Sequence, residues 1–313
     1  MKCRKCGEKA SIHMRQHKLA LCRDHFMEWI PSQTQRAIVT YAMFQADNRL
    51  LVAASGGKDS LALWDVLLTL GYQADGLYID LGIASEDYSH ASQAYVERFA
   101  RKRGLNLIIA RAADYLGMGI PDAAANTRRG RDKPCSVCGL TKRHIMNHIA
   151  IEGEYDVLVT GHNLDDEAAT LFGNTLHWQV GYLQRQWPVL EAKPGLVRKA
   201  KPFCRLYERE TAAYAFLRSI EYIDEECPYA SGAKSIYYKE VLNRMELERP
   251  GTKQSFYLSF LRAKGHLQFD DVQEQLAFKH CPECGSLTTS SGLCSFCRVK
   301  QRVHDRTILV ERK

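Results

Sequence analysis

Apolar residues fall along this chain in two alternating patterns. Short continuous runs bounded by glycine or charge read as buried strands, at 49–54, 74–80, 105–110 and 156–160. Between them, apolar positions return every third or fourth residue, the period of a helix with one face on a core. These segments are 61–68, stopping near Gly71, 93–103, ending at Gly104, and 165–176. Beyond about Leu206 the pattern is helical, over 207–220, 236–248 and 254–264. Strands and helices in alternation predict an α/β fold, a doubly wound parallel sheet with crossover helices. Strand order is not written in the pattern.

At both ends the periodicity gives way to cysteine. The first zone carries Cys3-x-x-Cys6 and Cys22-x-x-His25, and the last carries Cys281-x-x-Cys284 and Cys294-x-x-Cys297. Closed Cys₃His and Cys₄ sets at this spacing fit tetrahedral structural zinc, two ions in all. His13 and His17 lie inside the first loop, but four ligands are already present, so both read as loop or phosphate-facing side chains. The cysteines divide the chain into an N-terminal zinc module at 1–30, a central domain at 31–275 and a C-terminal zinc module at 276–313. The cysteine count is 11, an odd number, which with the close pairs favours metal thiolates over disulfides. No apolar run of about 18 residues predicts a membrane span. The start of the chain has no apolar stretch of the secretory kind, so the expected compartment is the cytoplasm. The net charge of +7 suits a nucleic-acid partner, but many soluble enzymes carry as much.

The most informative segment is Ser55-Gly56-Gly57-Lys58-Asp59-Ser60, between a predicted strand and a predicted helix. Adjacent glycines let the backbone approach a ligand, and the helix start offers unpaired N–H groups and the positive end of its dipole. Such a nest suits a phosphate, with Ser55, Lys58 and Ser60 as further donors. The spacing is not that of a Walker A loop. After the fourth strand, Gly161-His162-Asn163-Leu164-Asp165-Asp166 ends in two acids suited to Mg²⁺ or to acid–base work, or to complementing a helix dipole. Removing the terminal metal ligands leaves Cys135, Cys138, Cys204 and Cys227. Cys135-x-x-Cys138 follows the basic run Arg128, Arg129, Gly130, Arg131, Asp132 and Lys133, which reads either as an RNA phosphate contact or as solvated charge. Cys227 precedes Pro228, a pairing seen at iron–sulfur ligands. On spacing alone, a [4Fe–4S] cluster and a persulfide pair both remain open. Tyr237-Tyr238 and Phe256-Tyr257 read as core.

The loop, Asp80 at the end of the second strand, and the Gly161–Asp166 segment together resemble the PP-loop ATP pyrophosphatase family. With the cysteine sets included, nearly the whole chain is similar to its tRNA 2-thiouridine synthetase group. That resemblance implies an ATP-dependent tRNA uridine 2-sulfurtransferase. ATP would adenylate the uracil C2 oxygen, and sulfur held on an iron–sulfur cluster would replace that oxygen. The expected target is 5-methyluridine of the T-loop; the alternatives are wobble uridine and an anticodon-loop cytidine. A non-catalytic zinc and tRNA-binding scaffold is the reading of another class. The resemblance implies Cys135, Cys138 and Cys227 as ligands of the [4Fe–4S] cluster, and Asp59, Lys142 and Asp166 as catalytic residues. ATP contacts are implied for Ala53, Ser55, Gly56, Gly57, Lys58, Asp59, Ser60, Ile79, Asp80, Lys142, Gly161 and Asp165, with Mg²⁺. Cys204 has no place in the pattern and reads as a buried thiol. The implied partners are tRNA, a ubiquitin-like sulfur carrier ending in a thiocarboxylate, and a second copy of the chain.

Overall fold

A computed structural model describes residues 1–84, 87–127, 130, 133–230, 234–267 and 278–311. The chain opens with a hairpin of β1 (Ile12–Met14) and β2 (Leu19–Leu21), which leads into α1 (Arg23–Thr40). The alternating region follows as β3 (Leu50–Ala53), α2 (Lys58–Thr69), β4 (Ala74–Asp80), α3 (Tyr88–Arg103) and β5 (Leu107–Arg111). Two short helices, α4 (Ala112–Leu116) and α5 (Ile120–Ala125), precede the long α6 (Pro134–Glu152). Next come β6 (Val157–Val159), α7 (Leu164–Leu176), α8 (Val180–Arg185), β7 (Val189–Leu190) and β8 (Arg198–Ala200). Helices α9 (Glu208–Leu217), α10 (Lys234–Glu248) and α11 (Thr252–Ala263) close the central part. A second hairpin, β9 (Lys279–His280) and β10 (Leu287–Thr288), and α12 (Ser295–Glu311) end the chain.

Six strands form one sheet in the order β5-β4-β3-β6-β8-β7, parallel throughout except for β7 at the edge. Leu50, Leu51 and Val52 of the central strand are all buried, contributing about 1.5–3 kcal/mol each. Both faces are covered, so the strand reads as continuously apolar rather than alternating. Leu50 and Val52 join the core that contains Trp64, Phe99, Phe26 and the N-terminal Cys3 and Cys22. Leu51 and Leu158 join the opposite core, with Val137, Ile145 and the C-terminal Cys281, Cys294 and Phe296. The two cysteine modules therefore sit on opposite faces of one sheet. Helix α1 runs unbroken through residue 30, so the N-terminal module and the core share a rigid rod.

Chain order reverses between β3 and β6: from β3 the chain moves outward to β4 and β5, and it then returns to β6. At such a switch point the loops after neighbouring strands diverge and open a crevice at the carboxyl edge of the sheet. The loops that line it here are 55–60 after β3 and 161–166 after β6. Among the described residues, no helix is long and apolar enough to cross a membrane.

Candidate active site

The loop after β3 is shaped by Gly56. Its φ of 85° lies in the left-handed region, and a Cβ there would stand 2.6 Å from the Ser92 carbonyl oxygen of α3. Only glycine meets both demands. No side chain caps the start of α2, so its first N–H groups face the crevice without an intrahelical or side-chain acceptor. Ser60 braces the turn from within: its Oγ accepts from the Ser55 N–H at 3.1 Å and donates to the Gly57 carbonyl at 2.9 Å. Gly161 closes the other wall, where a Cβ would lie 2.9 Å from the Ser60 nitrogen. Ala53, Ile79 and Asp80 lie at the ends of β3 and β4, and Asp80 Oδ1 accepts from the Gly82 N–H at 2.8 Å.

Charged side chains converge in front of this nest. Lys58 Nζ is 2.7 Å from Glu208 Oε1 and 3.2 Å from Asp59 Oδ2. Thr211 donates to Asp59. Desolvation raises the Asp59 carboxyl above the usual carboxylate range, against the pull of Lys58. Asp166 forms a capping box with Asn163: the Asp166 N–H donates to Asn163 Oδ1 at 3.1 Å and the Asn163 N–H to Asp166 Oδ2 at 3.0 Å. The other Asp166 oxygen is 2.6 Å from Lys239 Nζ. Asp165, by contrast, is buried, with one oxygen on Lys253 and the other accepting the Glu208 N–H at 3.0 Å. It fixes the start of α9 against the site. Asp59, Asp166 and Glu208 are the partly exposed acids of this mouth, and Asp59 with Asp166 makes a hard-oxygen pair that fits Mg²⁺.

Helix α6 carries two of the three central cysteines. Cys135 and Cys138 occupy its first turns. The Cys135 thiol is 3.3 Å from the Tyr229 carbonyl, which ties this turn to the 227–230 turn, where the Ala230 N–H donates to the Cys227 carbonyl at 2.8 Å. Burial pushes the Cys138 thiol up, Lys142 pulls it back, and Cys227 and Cys135 add to the rise. The three cysteines thus act on one another from two separate segments. They do not form a group as tight as the terminal sets, whose ligand atoms lie within 4.8 Å of one another. A cube of four irons and four sulfides is larger than one ion, so a wider triad fits it. His162 is exposed at its outer edge, and desolvation of the rest of the ring, with Lys201, holds its pKa down. Cys204 is fully buried in the first core, its thiol pushed up by desolvation.

The terminal sets are drawn together: Cys3, Cys6, Cys22 and His25 in one, and Cys281, Cys284, Cys294 and Cys297 in the other. Sulfur separations of 3.8 Å for Cys6–Cys22 and 3.7 Å for Cys284–Cys294 match the edge of about 3.8 Å set by zinc–thiolate bonds of about 2.3 Å. Burial opposes ionisation of Cys3, yet N–H groups of Cys22, Cys6 and Lys5 hold its thiol down at about 6. Cys281 is held at about 6 in the same way by Cys294, Cys284 and Glu283.

Several side chains depart from the sequence reading. His17 is neither a loop ornament nor a phosphate contact; its Nε2 lies 2.9 Å from Glu210 Oε1 and its ring packs on Trp29. Tyr257 is buried and Tyr238 packs against Gly173 and Phe172, but Tyr237 is exposed, because it projects from the opposite side of α10. Of the basic run, Arg128, Arg129, Arg131 and Asp132 lie outside the described residues. Glu208 and Lys239 were not foreseen, since each stands far in sequence from any motif.

An uncapped, glycine-shaped nest at the switch point of a parallel sheet, flanked by a lysine and paired acids, defines the PP-loop class of nucleotide-using α/β proteins. The PP-loop domain family matches residues 30–177, and the N-terminal LIM domain of 2-thiouridine synthetase TtuA matches residues 2–27. The chain is 49% identical over 307 residues to the tRNA-5-methyluridine(54) 2-sulfurtransferase of Thermus thermophilus, covering 98% of this chain and 93% of that one. It is 42% identical over 308 residues to the protein of the same name from Thermotoga maritima, covering 98% of each. In fold it is similar to the U34-tRNA thiolase NcsA from Methanococcus maripaludis, solved with its [4Fe-4S] cluster, with a TM-score of 0.78 and 24% identity over 97% of this chain and 96% of that one. The chain belongs to the tRNA 2-thiouridine synthetase family.

Proposed function

We infer that this protein is an ATP-dependent tRNA uridine 2-sulfurtransferase whose target is 5-methyluridine of the T-loop. The observation that supports the reading is the uncapped, Gly56-shaped nest at 55–60, set at the switch point of the parallel sheet. On this reading activation and sulfur delivery share one mouth, with Lys142 between them. The uracil C2 oxygen attacks the α-phosphorus of ATP, the bond to the β-phosphate breaks, and pyrophosphate leaves. Sulfur then displaces the adenylated oxygen, and AMP leaves. The nest at 55–60 binds the phosphates through backbone N–H groups, Ser55, Ser60 and Lys58. Ala53, Ile79 and Asp80 border the nucleoside side, and Asp59 and Asp166 would hold Mg²⁺. Lys142 offsets negative charge developing between the two halves of the site. Cys135, Cys138 and Cys227 would hold a [4Fe–4S] cluster, which supplies an iron with an open position, a Lewis acid for sulfur.

On this reading the terminal modules at 1–30 and 276–313 are structural zinc units flanking a catalytic domain at 31–275. Sulfur arrives on a ubiquitin-like carrier ending in a thiocarboxylate, and the enzyme works in the cytoplasm as a homodimer. Nucleoside mass spectrometry of tRNA from cells lacking the protein tests the assignment. Loss of 2-thio-5-methyluridine from T-loop fragments is the expected result. Loss at the wobble position would redirect the target, and an unchanged set of thionucleosides would remove the assignment.

A further inference from the structure

Two lysines from distant parts of the chain meet on one carboxylate in front of the nest. Lys58 Nζ lies 2.7 Å from Glu208 Oε1, and Lys239 Nζ lies 3.2 Å from Glu208 Oε2. Lys239 also reaches Asp166 Oδ1 at 2.6 Å. One two-oxygen anion is therefore gripped from both sides, by a lysine at the start of α2 and another from α10. Two partly buried ammonium groups brought this close need a shared counter-ion. Here an acid of the chain supplies it, immediately beside a helix start that has no cap of its own.

The three acids of the mouth are not equally held. Asp59 accepts from Thr211, and Asp166 is locked into its capping box. The Glu208 carboxylate has only the two lysines as partners among the described residues, and its side chain is 34% exposed. The five side chains Lys58, Lys239, Asp59, Asp166 and Glu208 sum to −1, so the mouth as it stands disfavours a polyanion until a cation enters or a carboxylate turns away. Glu208 is the one free to turn away toward solvent.

We propose that Lys239 is a second phosphate-holding residue. With Lys58 it forms a two-pronged subsite for the terminal phosphates of a nucleoside triphosphate, and for pyrophosphate after cleavage, and the Glu208 carboxylate keeps that place in the nucleotide-free protein. The proposal rests on the ATP reading of the nest and adds to it the side chain that distinguishes a triphosphate from a monophosphate. An adenosine monophosphate has no group to offer this subsite.

Calorimetric titration of the full-length protein with ATP, AMP and inorganic pyrophosphate, each with Mg²⁺, tests it without recourse to turnover. Lys239→Met is expected to weaken ATP and pyrophosphate about tenfold, the scale of one charge-assisted contact, and to leave AMP within about twofold. Lys239→Arg should restore most of the loss, and Glu208→Gln should tighten pyrophosphate by removing its competitor. Unchanged ATP affinity in Lys239→Met, or a parallel loss of AMP affinity, would overturn the role of Lys239. Weaker pyrophosphate binding in Glu208→Gln would overturn the placeholder. A wild-type protein that binds neither ATP nor pyrophosphate would instead remove the nucleotide reading itself.

Discussion

The terminal cysteine sets and the central triad use the same side chains for opposite ends. Each terminal set gathers four ligand atoms within 4.8 Å of one another, inside a hairpin whose backbone N–H groups donate to sulfur. Nothing in such a closed shell is left for a substrate, so its binding energy goes into folding. The central three cysteines come from two segments, and Cys135 is exposed. On the proposed function, a site that exchanges sulfur needs that openness, and ligand number and spacing, rather than cysteine content, separate structural metal from reactive metal.

The largest effect should expose that contrast directly. Cys227→Ser removes one of the triad thiols, and thiolation of tRNA in a reconstituted assay should fall to background, since a missing ligand disables the whole step. Thermal unfolding and ATP affinity should hardly change. Cys297→Ser should do the reverse, lowering the melting temperature and the zinc content by one equivalent while ATP still binds. Retained thiolation in the first variant, or an unchanged melting curve in the second, would break the division between the two kinds of site.

Why the loop and the terminal cysteine pairs were legible and their surroundings were not follows from range. The loop at 55–60 announces itself because strand, glycines, lysine and helix are contiguous, and the metal pairs because Cys-x-x-Cys is local. Strand β8 left no trace: two of its three residues, Arg198 and Lys199, are charged, and pairing with Leu158 and Val159 of β6 makes it a strand. Glu208 reads in sequence as an acid at a helix start, complementing the dipole. Its partnership with Lys58 spans 150 positions, which no window detects. Helix α1 was equally hidden, for it carries Pro31 in its interior, and burial of Phe26, Ile30 and Ile38 overrides the local penalty.

The two terminal cysteine modules themselves are not equivalent, and a smaller effect should separate them. The N-terminal module touches α9 through Glu210: its Oε1 is shared by His17 Nε2 and Gln16 Nε2, and its Oε2 accepts from the Tyr207 N–H at 2.9 Å. Two residues upstream, the same helix presents Glu208 to Lys58. Glu210→Ala leaves a buried cluster of donors unpaired and should cost about 2–3 kcal/mol of stability by denaturant unfolding. It should also weaken ATP binding a few-fold by loosening the start of α9. Should ATP affinity stay at the wild-type value, the N-terminal module would be as remote from the nucleotide as the C-terminal one.

The C-terminal module is joined to α6 by His144, whose ring stacks on Phe296 at 3.8 Å and 11°. Burial, with the neighbouring charges of His148 and Lys300, holds its pKa down to about 4. An unfolded histidine titrates near 6.5. Between these values the unfolded state binds a proton that the folded state refuses, so stability rises with pH across the window and is lost as pH falls from about 6.5 toward 4. His144→Phe keeps the stacking surface and removes the titration. Zinc ligands also protonate in acid, but they do so in both proteins, so the difference between the two belongs to His144. From pH 7 to 5 the wild-type melting temperature should fall about 2 °C further than that of the variant. Parallel curves would mean that the ring is solvated and that the module is held by its aliphatic contacts alone, such as those of Val299 and Val303.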